Sequence, residues 1–83
     1  MRRIVYTRLA LKQLLAIPGP TAARIRSKIE QYAADPASLA GNVLKLQGRE
    51  GYRLRVGDYR VIFDDDGSVL DILNVGPRGD VYR

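Results

Sequence analysis

The dipeptide Gly57-Asp58 separates two runs in which apolar and polar side chains alternate, Tyr52 to Val56 and Tyr59 to Asp64. A two-residue loop that contains glycine is a strong signal for a β-hairpin, because glycine readily adopts the positive φ of tight hairpin turns. Such a turn also fixes the register of the two strands. The predicted cross-strand pairs are Val56 with Tyr59, Arg55 with Arg60, Leu54 with Val61, and Arg53 with Ile62.

Alternation along the hairpin assigns its side chains to two faces. The apolar face, which we expect helices to cover, contains Tyr52, Leu54, Val56, Tyr59, Val61 and Phe63. The opposite face, called here the arginine face, presents Arg53, Arg55 and Arg60. Like charges directly opposite each other are destabilising, by up to about 1 kcal/mol relative to a better pair. The pattern therefore favours an anion as the ligand of this face, since clustered guanidinium groups match phosphates.

The same residues also permit a purely structural interpretation of the arginine face. Asp64, Asp71 or Glu50 would then fold over the arginines and neutralise them. The nearby acidic residues are predicted at turns rather than on the same strand face, which favours the anion-binding interpretation.

The N-terminal half has the pattern of a short strand followed by two helices. Residues 3–6 form the predicted strand, and Thr7 is a plausible N-cap for a helix whose apolar side carries Leu9, Leu11, Leu14 and Leu15. Pro18-Gly19-Pro20 is predicted to end that helix and to link it to a second one from about Thr21 to Ala34. Residues 36–51 are predicted to be an irregular connector.

These elements predict an α+β fold with the order β-α-α-β-β-β. The last strand of the order is Val69 to Val75. An N-terminal helical hairpin is expected to pack on one face of a small, mainly antiparallel, twisted sheet. At 83 residues the chain has room for one modest core, so residues 1–83 are expected to form a single domain.

Composition limits the chemistry and indicates the kind of partner. Fourteen Lys and Arg against nine Asp and Glu give a net charge of +5, and eleven of these cations are Arg, so a polyanion or an acidic protein is the natural partner. The absence of Cys excludes disulfides, thiolate zinc sites and cysteine nucleophiles, and the absence of His excludes Ser-His triads. No apolar run approaches a membrane span, and we expect a cytoplasmic protein that does not bind membranes.

Three segments together resemble the RelE branch of the RelE/ParE toxin superfamily: Leu44-Lys45-Leu46-Gln47-Gly48, the run from Gly51 to Phe63, and the run from Val75 to Tyr82. The resemblance implies the RelE-like fold and the activity of an mRNA interferase, a ribosome-dependent endoribonuclease that cuts mRNA in the ribosomal A site without a metal or other cofactor. It also implies a cognate antitoxin as partner in a type II toxin-antitoxin system, with operator DNA reached only through that antitoxin.

The resemblance also implies site residues. The catalytic set would be Arg53, Arg55, Arg60, Arg78 and Tyr82, and the RNA-binding set would be Lys45, Arg49 and Arg83. In the family pattern, the residue at position 60 stabilises the transition-state phosphate, Arg78 is linked to the leaving 5′ oxygen, and Tyr82 stacks on mRNA. In the best-known pattern of the family Lys occupies positions 53 and 55, and many relatives carry His at position 77. Arginine stays charged in nearly every protein setting, so Arg55 is a poor general base and the proton acceptor is left open.

Two other functions remain compatible with the same family. A ParE-like toxin would inhibit DNA gyrase by protein contact without nuclease chemistry, and the shared fold does not discriminate between the two branches. A catalytically degenerate homologue would only bind the antitoxin and help to repress its operon. The clustered arginines and the C-terminal Tyr82 favour the nuclease.

Overall fold

The computed structural model describes residues 1–77 as two helices packed on a five-stranded sheet. In chain order the elements are β1 (Arg3–Tyr6), α1 (Arg8–Ala16), α2 (Gly19–Ala34), a 3-10 helix (Pro36–Asn42), β2 (Val43–Lys45), β3 (Tyr52–Val56), β4 (Tyr59–Asp65) and β5 (Val69–Pro77). The strand order is β1-β5-β4-β3-β2, with β1 parallel to β5 and the other pairs antiparallel. The predicted α+β class, with its helical hairpin on a mainly antiparallel sheet, is confirmed.

The predicted irregular connector was wrong in its second half, which contains strand β2. Val43 pairs with Leu54 and Leu44 pairs with Arg53, so β2 extends the sheet beyond β3. The loop between β2 and β3 turns at two glycines with positive φ, Gly48 and Gly51. The Leu46 N–H donates to the Gly51 carbonyl at 3.0 Å, which closes this loop. The sheet therefore has a strand that the predicted order lacked.

The core lies between the helices and the apolar face of the hairpin, as predicted. Leu54, Val56, Val61 and Phe63 are buried, and Tyr52 and Tyr59 pack against them. The helices contribute Ala10, Leu14, Ile25, Ile29, Tyr32 and Ala33. Among residues 1–77, Phe63 is the largest fully buried side chain, and its ring contacts Tyr32 edge-on at 5.1 Å and Tyr52 in a stacked arrangement at 5.6 Å.

Helix α1 begins as predicted, but it buries a different face. Thr7 is the N-cap, and its Oγ1 accepts a hydrogen bond from the Ala10 N–H at 3.1 Å. Of the four leucines only Leu14 is buried, whereas Leu9, Leu11 and Leu15 are 51%, 42% and 81% exposed. Ala10 and Leu14 are four residues apart and share one narrow stripe, and the 100° step of the helix turns the other leucines away from it.

This arrangement predicts a large loss of stability on substitution of one leucine and almost none on substitution of its neighbour. Leu14→Ala should lower the free energy of unfolding by about 2–5 kcal/mol, because it leaves a cavity between α1 and the sheet. Leu15→Ala removes an exposed side chain and should change the free energy by less than about 0.5 kcal/mol. Urea denaturation of both variants checks this. Equal losses in the free energy of unfolding for the two variants would mean that α1 does not bury Leu14 in preference to Leu15.

A side chain from α1 holds the end of β5, where the register of β4 and β5 shifts between Ile62 and Phe63. The Gln13 side-chain amide donates to Asn74 Oδ1 at 2.7 Å, and Gln13 Oε1 accepts from the Val75 N–H at 2.6 Å. These bonds give partners to the Asn74 side chain and the Val75 N–H close to the irregularity in the strand register. They fix the segment of β5 that places Gly76 beside Arg60.

Helix α2 starts earlier than predicted, because Gly19 and Pro20 form its first turn instead of a separate link. Proline suits this position, since the first N–H groups of a helix have no partner within the helix. Near its end, the Tyr32 hydroxyl donates to Asp65 Oδ2 at 3.3 Å, and the other oxygen of Asp65 forms an ion pair with Arg2 at 2.7 Å. Burial raises the pKa of Tyr32, and the Asp65 carboxylate raises it further. In residues 1–77 no helix has the length and apolar character needed to cross a membrane.

Candidate nucleic-acid interface

The β3–β4 turn forms as the sequence predicts. Gly57 has a φ of +58°, and Asp58 does not have a positive φ, which is the pattern of a type II′ hairpin turn. Val56 pairs with Tyr59, Arg55 with Arg60, Leu54 with Val61, and Arg53 with Ile62. All the predicted cross-strand pairs are confirmed, so the three arginines do share the face of the sheet opposite the helices.

The arginines of this face differ in exposure, which the sequence did not predict. Arg55 is exposed and Arg53 is half-buried, but only 8% of Arg60 is exposed. One Arg60 nitrogen, Nη1, donates to the carbonyl of Gly57 at 3.2 Å and to that of Tyr59 at 3.0 Å. Arg60 is therefore much less accessible than Arg55.

Arg60 lies on the central strand of the sheet. β4 is flanked by β3 on one side and β5 on the other, so its side chains have neighbours in both directions. The residue beside Arg60 on β5 is Gly76, which has no side chain and leaves room for the guanidinium next to it. The turn carbonyls then orient the Arg60 side chain along the strand end. Arg60 is thus a buried cation fixed by hydrogen bonds, and it lies beside the exposed cation Arg55.

A groove with cationic walls runs along β2 and β3. Its larger part, with a volume of about 340 Å³, is lined by Leu44, Lys45, Leu46, Gln47, Arg49 and Arg53. A smaller part of about 100 Å³ is lined by Gly41, Asn42, Leu44, Arg53 and Arg55. Arg53 and Leu44 line both parts, because they face each other across the β2–β3 pair. Without β2 this groove would have no second wall.

The structure brings together most of the described site residues. Arg53, Arg55 and Arg60 lie on one face, and Lys45 and Arg49 line the groove beside Arg53. Lys45 pairs with Tyr52, so its Cβ starts on the helix side of the edge strand, and it also borders an acidic cleft with Asp64 and Asp71. The predicted site residues Arg78, Tyr82 and Arg83 lie outside the described residues.

Acidic residues lie at the opposite end of the same face. Asp64 pairs with Asp71 across β4 and β5, four residues along the strand from Arg60 and hence about 13 Å away. Between residues 1 and 77, Arg55 forms no ion pair; the ion pair found there joins Arg2 to Asp65. The face is therefore polarised, with cations toward the Gly57 turn and carboxylates toward the β4–β5 turn.

This arrangement is suited to binding a phosphate group at the cationic end. Each guanidinium has five N–H donors in a planar fork, and two forks facing each other across a hairpin can hold several oxygens of one phosphodiester. Arg55 supplies an exposed guanidinium group. The hydrogen-bonded Arg60 supplies a positive charge in a less solvated position, where electrostatic interactions are stronger.

Two features of the site escaped the sequence analysis. The first is the wall that Leu44 and β2 provide, because the three residues Val43-Leu44-Lys45 are too few to show the period of a strand. The second is Arg24 of α2, whose guanidinium lies against Gly57. No local pattern predicts that contact, because the two residues are far apart in sequence.

Solved structures of toxin-antitoxin complexes resemble this fold along nearly its whole length. The archaeal RelE–RelB complex from Pyrococcus horikoshii OT3 matches with a TM-score of 0.76 and 30% identity, covering 94% of this chain and 96% of that chain. The RelB–RelE complex from Methanococcus jannaschii has a TM-score of 0.74 and 25% identity, covering 94% of each chain. The RelBE2 complex from Mycobacterium tuberculosis has a TM-score of 0.78 and 21% identity, covering 93% and 98%.

Sequence comparison gives the same family. Among curated proteins no sequence matches the chain. The family model of the ParE toxin of the type II toxin-antitoxin system parDE matches residues 4–82, which is nearly the complete sequence. Together with the 30% identity to a chain of the archaeal complex over almost the full length, this match settles the family. The chain belongs to the RelE/ParE superfamily and is a toxin of a type II toxin-antitoxin system.

Proposed function

We propose that this toxin is an endoribonuclease that cleaves mRNA in the A site of the ribosome. The observation that carries the proposal is the placement of Arg55 directly opposite Arg60, next to a groove with Lys45, Arg49 and Arg53 on its walls. A sheet face selected for stability alone would avoid two arginines in one cross-strand pair. RNA phosphates supply the negative charge that makes this pair favourable.

The proposed reaction is an in-line attack of the RNA 2′-hydroxyl on the adjacent phosphate. The bond to the 5′ oxygen of the next nucleotide breaks, which leaves a 2′,3′-cyclic phosphate and a 5′-hydroxyl. Arg55 and Arg60 would stabilise the non-bridging oxygens, whose negative charge increases in the transition state. Arg53 would bind the neighbouring backbone and help to hold the nucleotide in line. Arginine remains protonated, so the 2′-hydroxyl proton would pass to solvent or to a ribosomal group.

The remaining predicted residues complete the proposal. Arg78 would assist the leaving 5′ oxygen, Tyr82 would stack on a base, and Lys45, Arg49 and Arg83 would bind RNA phosphates. Stacking of a base on an aromatic ring contributes about 1–3 kcal/mol in single-strand binding. We propose that residues 1–83 form one domain. We also expect a cytoplasmic protein, because its proposed substrate is on the ribosome.

We further propose a cognate antitoxin as the protein partner. The related structures from the two archaea and from M. tuberculosis are complexes of toxin with antitoxin. A net charge of +5 favours an acidic partner that covers the arginine face. The toxin would then reach operator DNA only through that antitoxin.

Expression of the toxin without an antitoxin tests the cleavage proposal. We expect growth to stop and primer extension to show new mRNA 5′ ends only where the message is translated. A message with its start codon removed is the matched control and should remain intact. Growth arrest with intact translated mRNA would contradict the nuclease. Absence of any toxicity would instead indicate a degenerate toxin that only binds its antitoxin.

A specific observation favours a second candidate, inhibition of DNA gyrase. The family model that matches residues 4–82 is that of the ParE toxin of the parDE system. A supercoiling assay with purified gyrase separates the two. The nuclease proposal predicts no inhibition at toxin concentrations that cleave mRNA completely on ribosomes.

A further inference from the structure

We propose that Arg24 of α2 binds a second RNA phosphate, next to the one at Arg55 and Arg60, so that the RNA backbone crosses the tip of the β3–β4 hairpin. The tip is defined as Arg24 together with the turn from Arg55 to Arg60. The inference rests on the proposed ribonuclease function. It extends the binding surface from the arginine face to the helix side of the sheet.

Contacts at Gly57 place Arg24 at the tip. A Cβ built on Gly57 would collide with Nη2 of Arg24, so the guanidinium lies directly against the glycine backbone. The carbonyl of the same glycine accepts the hydrogen bond from Arg60 Nη1 at 3.2 Å. One residue of backbone therefore separates a guanidinium of the helix layer from a guanidinium of the sheet.

The charge at the tip is strongly positive. Arg24, Arg55 and Arg60 surround a turn whose acidic residue is Asp58. Arg24 is exposed, and it forms no ion pair with Asp58 or with another residue in the described range 1–77. A cation in this position keeps its charge available to a ligand. Glycine at position 57 meets two requirements of the tip: it permits the positive φ of the turn, and it leaves space for the Arg24 guanidinium.

The tip has no exposed large aliphatic side chain, which favours RNA over a protein partner. In the described part of the chain, the exposed large hydrophobic residues are Met1, Val5, Leu9, Leu11, Leu15 and Leu44. None of them belongs to the tip, where Val56 is buried and Tyr59 is half-buried against the core. Protein interfaces centre on apolar and aromatic contacts, whereas phosphate contacts need only donors and positive charge.

Salt dependence and steady-state kinetics of Arg24→Gln test the proposal. The probes are a 2′-O-methylated single-stranded RNA, which cannot be cleaved, and ribosomes programmed with one mRNA. We expect Arg24→Gln to weaken RNA binding about 3- to 10-fold, to raise KM on ribosomes by a similar factor and to leave kcat unchanged. The slope of log affinity against log KCl concentration should fall by about 0.7. Arg24→Lys should retain most of the slope, because it retains the charge.

Arg26→Gln is the matched control. Arg26 is on the same helix, but its guanidinium lies over the Tyr6 ring at 5.9 Å, on β1 at the far edge of the sheet. This variant should keep the wild-type KM and salt slope. Thermal denaturation should show that both variants are as stable as the wild type.

Each other outcome has a definite meaning. Equal salt slopes for wild type and Arg24→Gln on both probes would overturn the inference while wild-type cleavage still supports the nuclease. An effect on ribosomes but not on free RNA would place the phosphate in ribosomal RNA instead of mRNA and overturn the mRNA path over the tip. A loss of antitoxin affinity with unchanged RNA binding would show that the tip is a protein interface. If the wild type neither binds nor cleaves either RNA, the proposed function itself fails.

Discussion

Arg60→Ala is expected to slow mRNA cleavage about 10²- to 10³-fold and to abolish growth inhibition, while the fold remains intact. A loss of this size is usual when one preorganised donor to a developing anionic charge is removed. Arg60 is preorganised here by its hydrogen bonds to the carbonyls of Gly57 and Tyr59. It also has a much lower exposure than Arg55, so its charge acts in a less screened environment. Single-turnover cleavage on programmed ribosomes measures the loss.

Two control variants make the result specific. Arg3→Ala removes an exposed arginine of β1, at the opposite edge of the same sheet, and should leave the rate within about twofold. Arg60→Lys keeps a positive charge but loses the planar fork, so it should recover only part of the rate. Far-UV circular dichroism and a thermal scan establish that Arg60→Ala is folded. A folded Arg60→Ala variant with full toxicity would remove Arg60 from the site.

Phe63→Ala should be the most damaging core substitution, with a loss of about 3–5 kcal/mol in the free energy of unfolding. The ring is 2% exposed and joins the helix layer to the sheet through Tyr32 on one side and Tyr52 on the other. Small domains have total stabilities at the lower end of about 5–15 kcal/mol. The variant should therefore be largely unfolded at 37 °C and non-toxic. Urea denaturation at 10–15 °C, where stability is near its maximum, gives the free energy.

Leu44→Ala is the control for the Phe63 experiment. Leu44 is also a large apolar residue of the sheet, but it is 58% exposed on the edge strand β2. Its substitution should change the free energy of unfolding by less than about 0.5 kcal/mol. If Phe63→Ala cost no more than Leu44→Ala, the described core between α2 and the hairpin would be incorrect.

The hairpin was predictable because its signals are local. Period-two alternation and a glycine in a two-residue loop together determine the pairing of Arg55 with Arg60, and no distant contact changes that register. The N-cap at Thr7 was predictable for the same reason, since its bond reaches only as far as Ala10.

The features that were not predicted depend on tertiary contacts. Arg60 is buried on the central strand β4 beside Gly76 of β5, and no pattern near Arg60 indicates this placement. The three exposed leucines of α1 are apolar enough to suggest a wide core face, but the helix contacts the sheet along one narrow stripe. Strand β2 has only three residues and too little periodicity to be distinguished from a loop.

Chemical analysis of the cleaved RNA ends shows whether Arg55 and Arg60 support cleavage of mRNA by the 2′-hydroxyl. Purified toxin is mixed with ribosomes that carry one defined mRNA, and the new RNA ends are characterised for the wild type and for an Arg55→Ala/Arg60→Ala variant. For the wild type we expect a single A-site cut with a 2′,3′-cyclic phosphate on one fragment and a 5′-hydroxyl on the other, and for the double variant we expect no cut. Intact mRNA with the wild-type toxin, or equal cleavage by the folded double variant, would contradict this mechanism.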